Sequence, residues 1–89
     1  MDRSHDDAQA QQLIEYIVRE VIRTPGAQID PDTPLVSSGL IDSLALVSIL
    51  TKVEDVTEKR IPAGRVRPQD MDTVSLMLAT AERLGKPRK

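Results

Sequence analysis

Apolar residues recur at intervals of three and four in three separate stretches, with proline-bearing segments between them. In the first stretch, Leu13, Ile14, Ile17, Val18, Val21 and Ile22 share one face of a helix predicted from Asp7 to Arg23. Asp6 or Asp7 is placed to cap its start, and Pro25-Gly26 to stop it. A second helix is predicted from about Ser43 to Glu58, turned inward through Leu46, Ile49, Leu50 and Val53. A third runs from Thr73 to Leu84, with Val74, Met77, Leu78, Ala81 and Leu84 inward, Asp72 suited to the N-cap and Gly85 to the C-cap. Between the last two, Ile61-Pro62-Ala63-Gly64 breaks the pattern, and a short turn of helix is expected to include Val66. No stretch alternates apolar and polar residues for long enough to make a strand. The expected architecture is all-α, a bundle of three main helices plus one short helix.

The segment from Ala27 to Ile41 is too rich in Pro31, Pro34 and Gly39 to be regular helix. Its apolar residues, Ile29, Leu35, Val36, Leu40 and Ile41, are spaced as anchors to a core. A long loop with that pattern in a small domain points to function.

With 89 residues the chain has room for one domain. The fold is expected over about residues 7–84, with 1–6 and 85–89 as tails. Tyr16 is the only aromatic residue, so the core must be built from aliphatic side chains. The absence of cysteine excludes disulfides and thiolate chemistry. The only histidine, His5, lies in a polar stretch, which argues against histidine-assisted catalysis and histidine metal sites. No apolar run approaches the ~18 residues of a membrane span, and the start lacks the order of a signal peptide. The chain is expected to be soluble, cytoplasmic and monomeric, without membrane insertion.

Charge is unevenly placed along the chain. Residues 30–58 hold six acids against Lys52 alone, and Lys59, Arg60, Arg65 and Arg67 follow at once. Such a reversal can steer partners of opposite charge, although two ordinary solvated faces would look the same. Asp30-Pro31-Asp32 resembles the start of a calcium loop, but Pro34 occupies the next ligand position and no glutamate follows at the right distance. There is no nucleophile elbow and no glycine-rich phosphate loop. The basic C-terminal tail is short and has no aromatic near it, so nucleic-acid binding is not expected. A non-catalytic protein is the expectation.

The most informative segment is Gly39-Leu40-Ile41-Asp42-Ser43-Leu44. It delivers a serine to the start of a helix, where amide N–H groups lack partners and the dipole favours an anion. That position suits a serine modified by a phosphodiester. Asp and Ser at a helix start equally suit plain capping. Leu44 and Val47 lie off the inward face, Leu44 about 200° around the helix from Leu46, and suit a docking spot for a partner.

Asp42-Ser43-Leu44 after Gly39, the apolar spacing that follows, Ile61-Pro62, the opening Asp32-Thr33-Pro34-Leu35 and Asp72-Thr73-Val74 together resemble the acyl carrier protein family. The resemblance spans roughly residues 10 to 84 and extends to D-alanyl, aminoacyl and peptidyl carriers. It implies an acyl-carrier-like bundle with a 4'-phosphopantetheine arm, taken from coenzyme A, on Ser43. It implies that Asp42 helps engage the modifying transferase, and that an acyl or aminoacyl thioester passes between partner enzymes. Those partners would be a phosphopantetheinyl transferase, a loading ligase or acyltransferase, and a downstream synthase or transferase. The pathway would be fatty-acid, polyketide or other secondary-metabolite biosynthesis. The chain departs from the family at two places. Ala45, Ser48 and Lys52 stand where acids are common, with acid appearing later at Glu54, Asp55 and Glu58. Thr57-Glu58-Lys59 stands where Phe-Gly-Ile is common. Partner contacts are expected at Leu44, Val47, Glu54 and Asp55. The second reading is a helical adaptor without a prosthetic group, with Ser43 a cap only.

Overall fold

The computed structural model describes residues 3–24 and 26–87, with side chains from Ala8 onward. Three α-helices carry the fold: α1 (Arg3–Tyr16), α2 (Ala45–Thr57) and α3 (Val74–Leu84). α1 starts ahead of the expected Asp7. The run before Tyr16 has no Gly or Pro, and Ala8, Gln9 and Ala10 favour helix, so nothing local stops it there. Capping by Asp6 or Asp7 concerns side chains outside the described residues. After Tyr16 the winding loosens into a π-helical stretch, Ile17–Ile22, closed by the Arg23 amide donating to the Val18 carbonyl at 2.8 Å. Arg23 then turns left-handed at φ 59°, and Gly26 follows at φ 82°. The stop assigned to Pro25 lies outside the described residues.

The core forms where the three helices meet. Leu13 and Ile17 come from the first helix, Ile49 and Val53 from α2, and Val74, Met77 and Ala81 from α3. All are buried, and each large aliphatic side chain removed from water contributes about 1.5–3 kcal/mol. Without aromatics, unbranched Met71 and Met77 fill the irregular spaces between branched neighbours. Ile61 and Met71, outside the three stripes, complete the core, and Thr80 is buried with its hydroxyl donating to the Asp70 carbonyl at 3.1 Å.

The loop is held to the core as expected at Leu35 and Ile41, which are buried, and at Ile29 and Val36, which are half-buried. Leu40 differs, being 48 % exposed, because the turn at Gly39 (φ 83°) points the chain outward there. The strongest fastening is Asp72. Its Oδ1 accepts the amides of Val36 at 2.8 Å, Ser37 at 2.9 Å and Leu35 at 3.2 Å, and its Oδ2 accepts the Ser37 hydroxyl at 2.9 Å. Its main-chain carbonyl takes the Leu35 amide at 2.7 Å. Asp72 is therefore not the N-cap of α3. Thr73 has that role, its hydroxyl accepting the Leu76 amide at 3.0 Å.

The expected short helix is two 3-10 turns, Ala63–Arg65 and Pro68–Met71, with Val66 extended between them. Pro68 explains the split, since a residue before proline avoids the helical region, and Arg67 sits at φ -107°, ψ 157°. A two-residue pairing also appears, β1 (Lys59–Arg60) antiparallel to β2 (Lys86–Pro87). Elements this short leave no periodic trace in a sequence. They place part of the expected C-terminal tail in the fold. Gly85 permits the approach, because a Cβ there would collide with the Ala81 carbonyl and crowd Lys59.

α2 ends at Thr57, with Glu58 in the left-handed region at φ 57° and its amide bonded to the Glu54 carbonyl. This is the place where glycine is favoured, since a Cβ costs free energy in that conformation. Glu58→Gly is expected to raise stability by about 0.5–1 kcal/mol, read as a higher urea midpoint at unchanged slope.

The Asp72 carboxyl is held below the ordinary aspartate value of 3.8, first by the Ser37 amide and then by the Ser37 hydroxyl, with burial opposing and the Val36 and Leu35 amides adding. The folded chain thus favours the ionised form. This contribution is complete above the ordinary value and is lost as pH falls through the lower folded value. Asp72→Ala should cost about 2 kcal/mol near neutral pH. In urea unfolding followed from about pH 6 to pH 2, the gap between wild type and variant should close as the pH falls.

Candidate functional site

The serine of interest lies at a junction fixed on both sides. Before it, Ile41 is buried and donates its amide to the Leu35 carbonyl at 3.1 Å. After it, α2 begins at Ala45, so Ser43 and Leu44 form the entry turn and not the first helical residues. Asp42 closes that turn. Its Oδ1 accepts the Ala45 amide at 2.9 Å, and its carbonyl shares the same amide at 3.2 Å. The cap of α2 is therefore Asp42. Ser43 is exposed, and its hydroxyl makes no hydrogen bond to any described residue. Its carbonyl accepts the Leu46 amide at 3.3 Å, which holds the residue's backbone while leaving Oγ turned to solvent.

Around Ser43 the surface is apolar. Leu44 is 84 % exposed and Val47 71 %, and three residues apart they are neighbours on the same side of the helix start. Exposure this high for two such residues is not part of a core. Leu46 and Leu50, expected on the inward face, pack against the core and are half-buried, with their outer edges lining a cleft of about 220 Å³. Ser43 and Val47 stand on its α2 side, and Val66, Arg67, Pro68 and Met71 form the opposite wall. Arg67 is the one charged residue in the lining.

The acids named for partner contact sit elsewhere. Glu54 and Asp55 are two turns further along α2, about 10–12 Å beyond Val47 at ~1.5 Å per residue. Glu54 is half-buried, and its Oε2 accepts the Ile61 amide at 2.8 Å, so it fastens the chain leaving α2. Asp55 is exposed. The structure thus brings Ser43, Asp42, Leu44 and Val47 together and leaves Glu54 and Asp55 apart from them. The far wall of the cleft was missed in the sequence. Its only signal there was Val66 and Met71 on either side of Pro68, a spacing that matches no helical stripe.

In the opening loop, Asp30 Oδ1 accepts the Asp32 amide at 2.8 Å and the Thr33 hydroxyl at 3.1 Å. Asp30 closes a turn, as its position beside two prolines suggests.

Comparison with known proteins gives one match. A family model described as the phosphopantetheine attachment site covers residues 12–80, and the chain belongs to that family. No curated protein and no solved structure matches the chain. Members of the family bind 4'-phosphopantetheine covalently, so this chain is a carrier of that group. Its all-α fold is acyl-carrier-like. The surroundings of Ser43 fit such a group: an unbonded hydroxyl in solvent, a cleft with apolar walls beside it, and one guanidinium at the rim.

These contacts predict opposite outcomes for adjacent residues. Asp42→Ala should lose the helix cap and cost about 1 kcal/mol. Ser43→Ala should change stability by less than about 0.5 kcal/mol, because the hydroxyl supports nothing in the fold. Thermal unfolding of both variants checks the assignment.

Proposed function

We propose that Ser43 bears the phosphopantetheine arm and that the protein is a non-catalytic acyl carrier. In this reading it holds an acyl or aminoacyl group as a thioester and delivers it to partner enzymes of fatty-acid, polyketide or other secondary-metabolite biosynthesis. The observation that carries the reading is the state of one side chain. Ser43 is the exposed, unbonded hydroxyl at the entry to α2, flanked by a buried anchor and a cap and opening on an apolar cleft. The attached group would supply the thiol that a chain without cysteine lacks.

The chain's own residues have distinct tasks in this reading. Ile41 and Asp42 fix the backbone on either side of Oγ, so the modifying transferase meets a preorganised target. The Asp42 carboxylate, exposed while it caps, is available for recognition by that transferase. Leu44 and Val47 offer apolar contact area to a transferase, a loading ligase or acyltransferase, and a downstream synthase or transferase. Leu46, Leu50, Val66 and Met71 line a space that can shelter apolar cargo from water. Arg67 lines the same cleft as Ser43 and is the one positive charge in that lining. In this reading it works as a monomer among cytoplasmic enzymes; no described helix is long and apolar enough to cross a membrane.

Incubation with coenzyme A and a broad-specificity phosphopantetheinyl transferase should add the mass of one arm. Ser43→Ala should abolish the gain and keep the helical circular dichroism. Asp42→Asn retains the capping oxygen, so a slower gain in that variant would report recognition of the charge. A wild-type chain left unmodified by several such transferases would overturn the reading.

A further inference from the structure

We propose that Arg65, Arg67 and Arg83 form a docking surface for an acidic patch on a partner enzyme, continuous with the cleft at Ser43. The inference rests on the carrier reading above. The three arginines come from the first 3-10 turn, the residue before Pro68 and the last turn of α3, and they line one open depression of about 580 Å³ with Gly64, Asp70 and Leu84. Arg67 also lines the cleft that begins at Ser43, so the two surfaces share a wall.

The charge in this depression is not cancelled from within. Asp70 is its one acid: Oδ1 pairs with Arg83 at 3.6 Å, and Oδ2 accepts the Arg67 main-chain amide at 3.0 Å. Its side chain is 23 % exposed against 59 % for Arg83, so it lies deeper than Arg83 and holds that guanidinium and the Arg67 backbone. Arg65 and Arg67 are exposed, and neither guanidinium has an ion pair among the described residues. Two positive charges therefore face solvent uncompensated. Gly64 adds no side chain to cover them, and a Cβ there would meet open space.

An acidic protein surface fits this arrangement best. Guanidinium forks pair with carboxylates in two parallel hydrogen bonds. The exposed α2 residues nearest Ser43, namely Val47, Ser48 and Thr51, carry no charge, and the charge next to Ser43 in the entry turn is the Asp42 carboxylate, so attraction of an acidic surface comes from the arginine side. The acids Glu54, Asp55 and Glu58 gather at the opposite end of α2. A polyanion such as nucleic acid fits poorly, since the net charge is -2 and no aromatic side chain lies near the arginines.

The test uses isotope-labelled full-length protein, first converted to the arm-bearing form and checked by intact mass. It is titrated with an oligoglutamate peptide while arginine Nε–H and backbone amide signals are followed by nuclear magnetic resonance. Saturable shifts confined to residues 63–71 and 83–84 are expected, lost at about 1 M salt, where the screening length is ~3 Å. The double variant R65Q/R83Q should bind about tenfold more weakly, and K52Q should bind like wild type. Shifts spread evenly over all basic residues would overturn the proposal, as would tighter binding to duplex DNA or anionic vesicles. Failure of the carrier reading would show earlier, as a missing mass gain, and is thereby separated from failure at the arginines.

Discussion

At the foot of α3, the carboxylate of Asp72 receives the amides of Leu35, Val36 and Ser37 in succession. Those amides belong to the loop that carries the chain from the first helix to Ser43. Without such an acceptor, proline-rich chain of this kind has few partners for its N–H groups, and unpaired donors near a core are costly. The clamp seats Leu35 in the core, and the Leu35 carbonyl in turn takes the Ile41 amide. Ile41 is followed at once by the cap residue and the serine. The position of one hydroxyl thus depends on a relay from α3 through the loop to α2, made of hydrogen bonds and two buried aliphatic side chains.

The relay also explains why the exposed apolar residues do not collapse into the interior. Ile41 fills the available core position, and Asp42 ends the loop with a carboxylate that satisfies the Ala45 amide. From there the helical periodicity sends Ile49 and Val53 inward and Leu44 and Val47 outward. Burying Leu44 would require turning α2 about its axis, which would expose Ile49 at a cost of about 2 kcal/mol or more. The exposed patch is therefore maintained by the same stripe that builds the core.

The three helices were legible because their stripes are long and regular, and the loop was legible because Pro31, Pro34 and Gly39 forbid helix. Ser43 and Asp42 could be placed near a helix start from residue type alone. Which of them caps could not, since both side chains are good caps and the choice lies in a one-residue shift of the helix boundary. Asp72 and Thr73 pose the same ambiguity, and there the partner that decides it is 35 to 37 residues away in the chain. Long-range hydrogen bonds leave no local pattern. Leu40 was misplaced because an apolar residue in a loop has no periodicity to assign it a side, and Ile61 and Met71 were missed as core for the same reason. The end of α2 was legible to within one residue, since Glu58 closes the helix there although it is not the glycine that its left-handed backbone favours.

A carrier that serves several enzymes in turn must bind each one briefly. Large apolar interfaces release slowly, whereas a small apolar contact guided by charge associates fast and leaves fast. The surface around Ser43 has that balance. Leu44 and Val47 supply a limited contact area, and the uncharged face of α2 beside them adds no strong ion pair. In the proposed docking mode, the arginines across the cleft act at longer range and bias orientation more than affinity. Glu54, at the far end of α2, is occupied with the Ile61 amide. Separation of contact, steering and structural acid onto different parts of one short helix and its neighbours lets the site stay rigid while its associations remain weak.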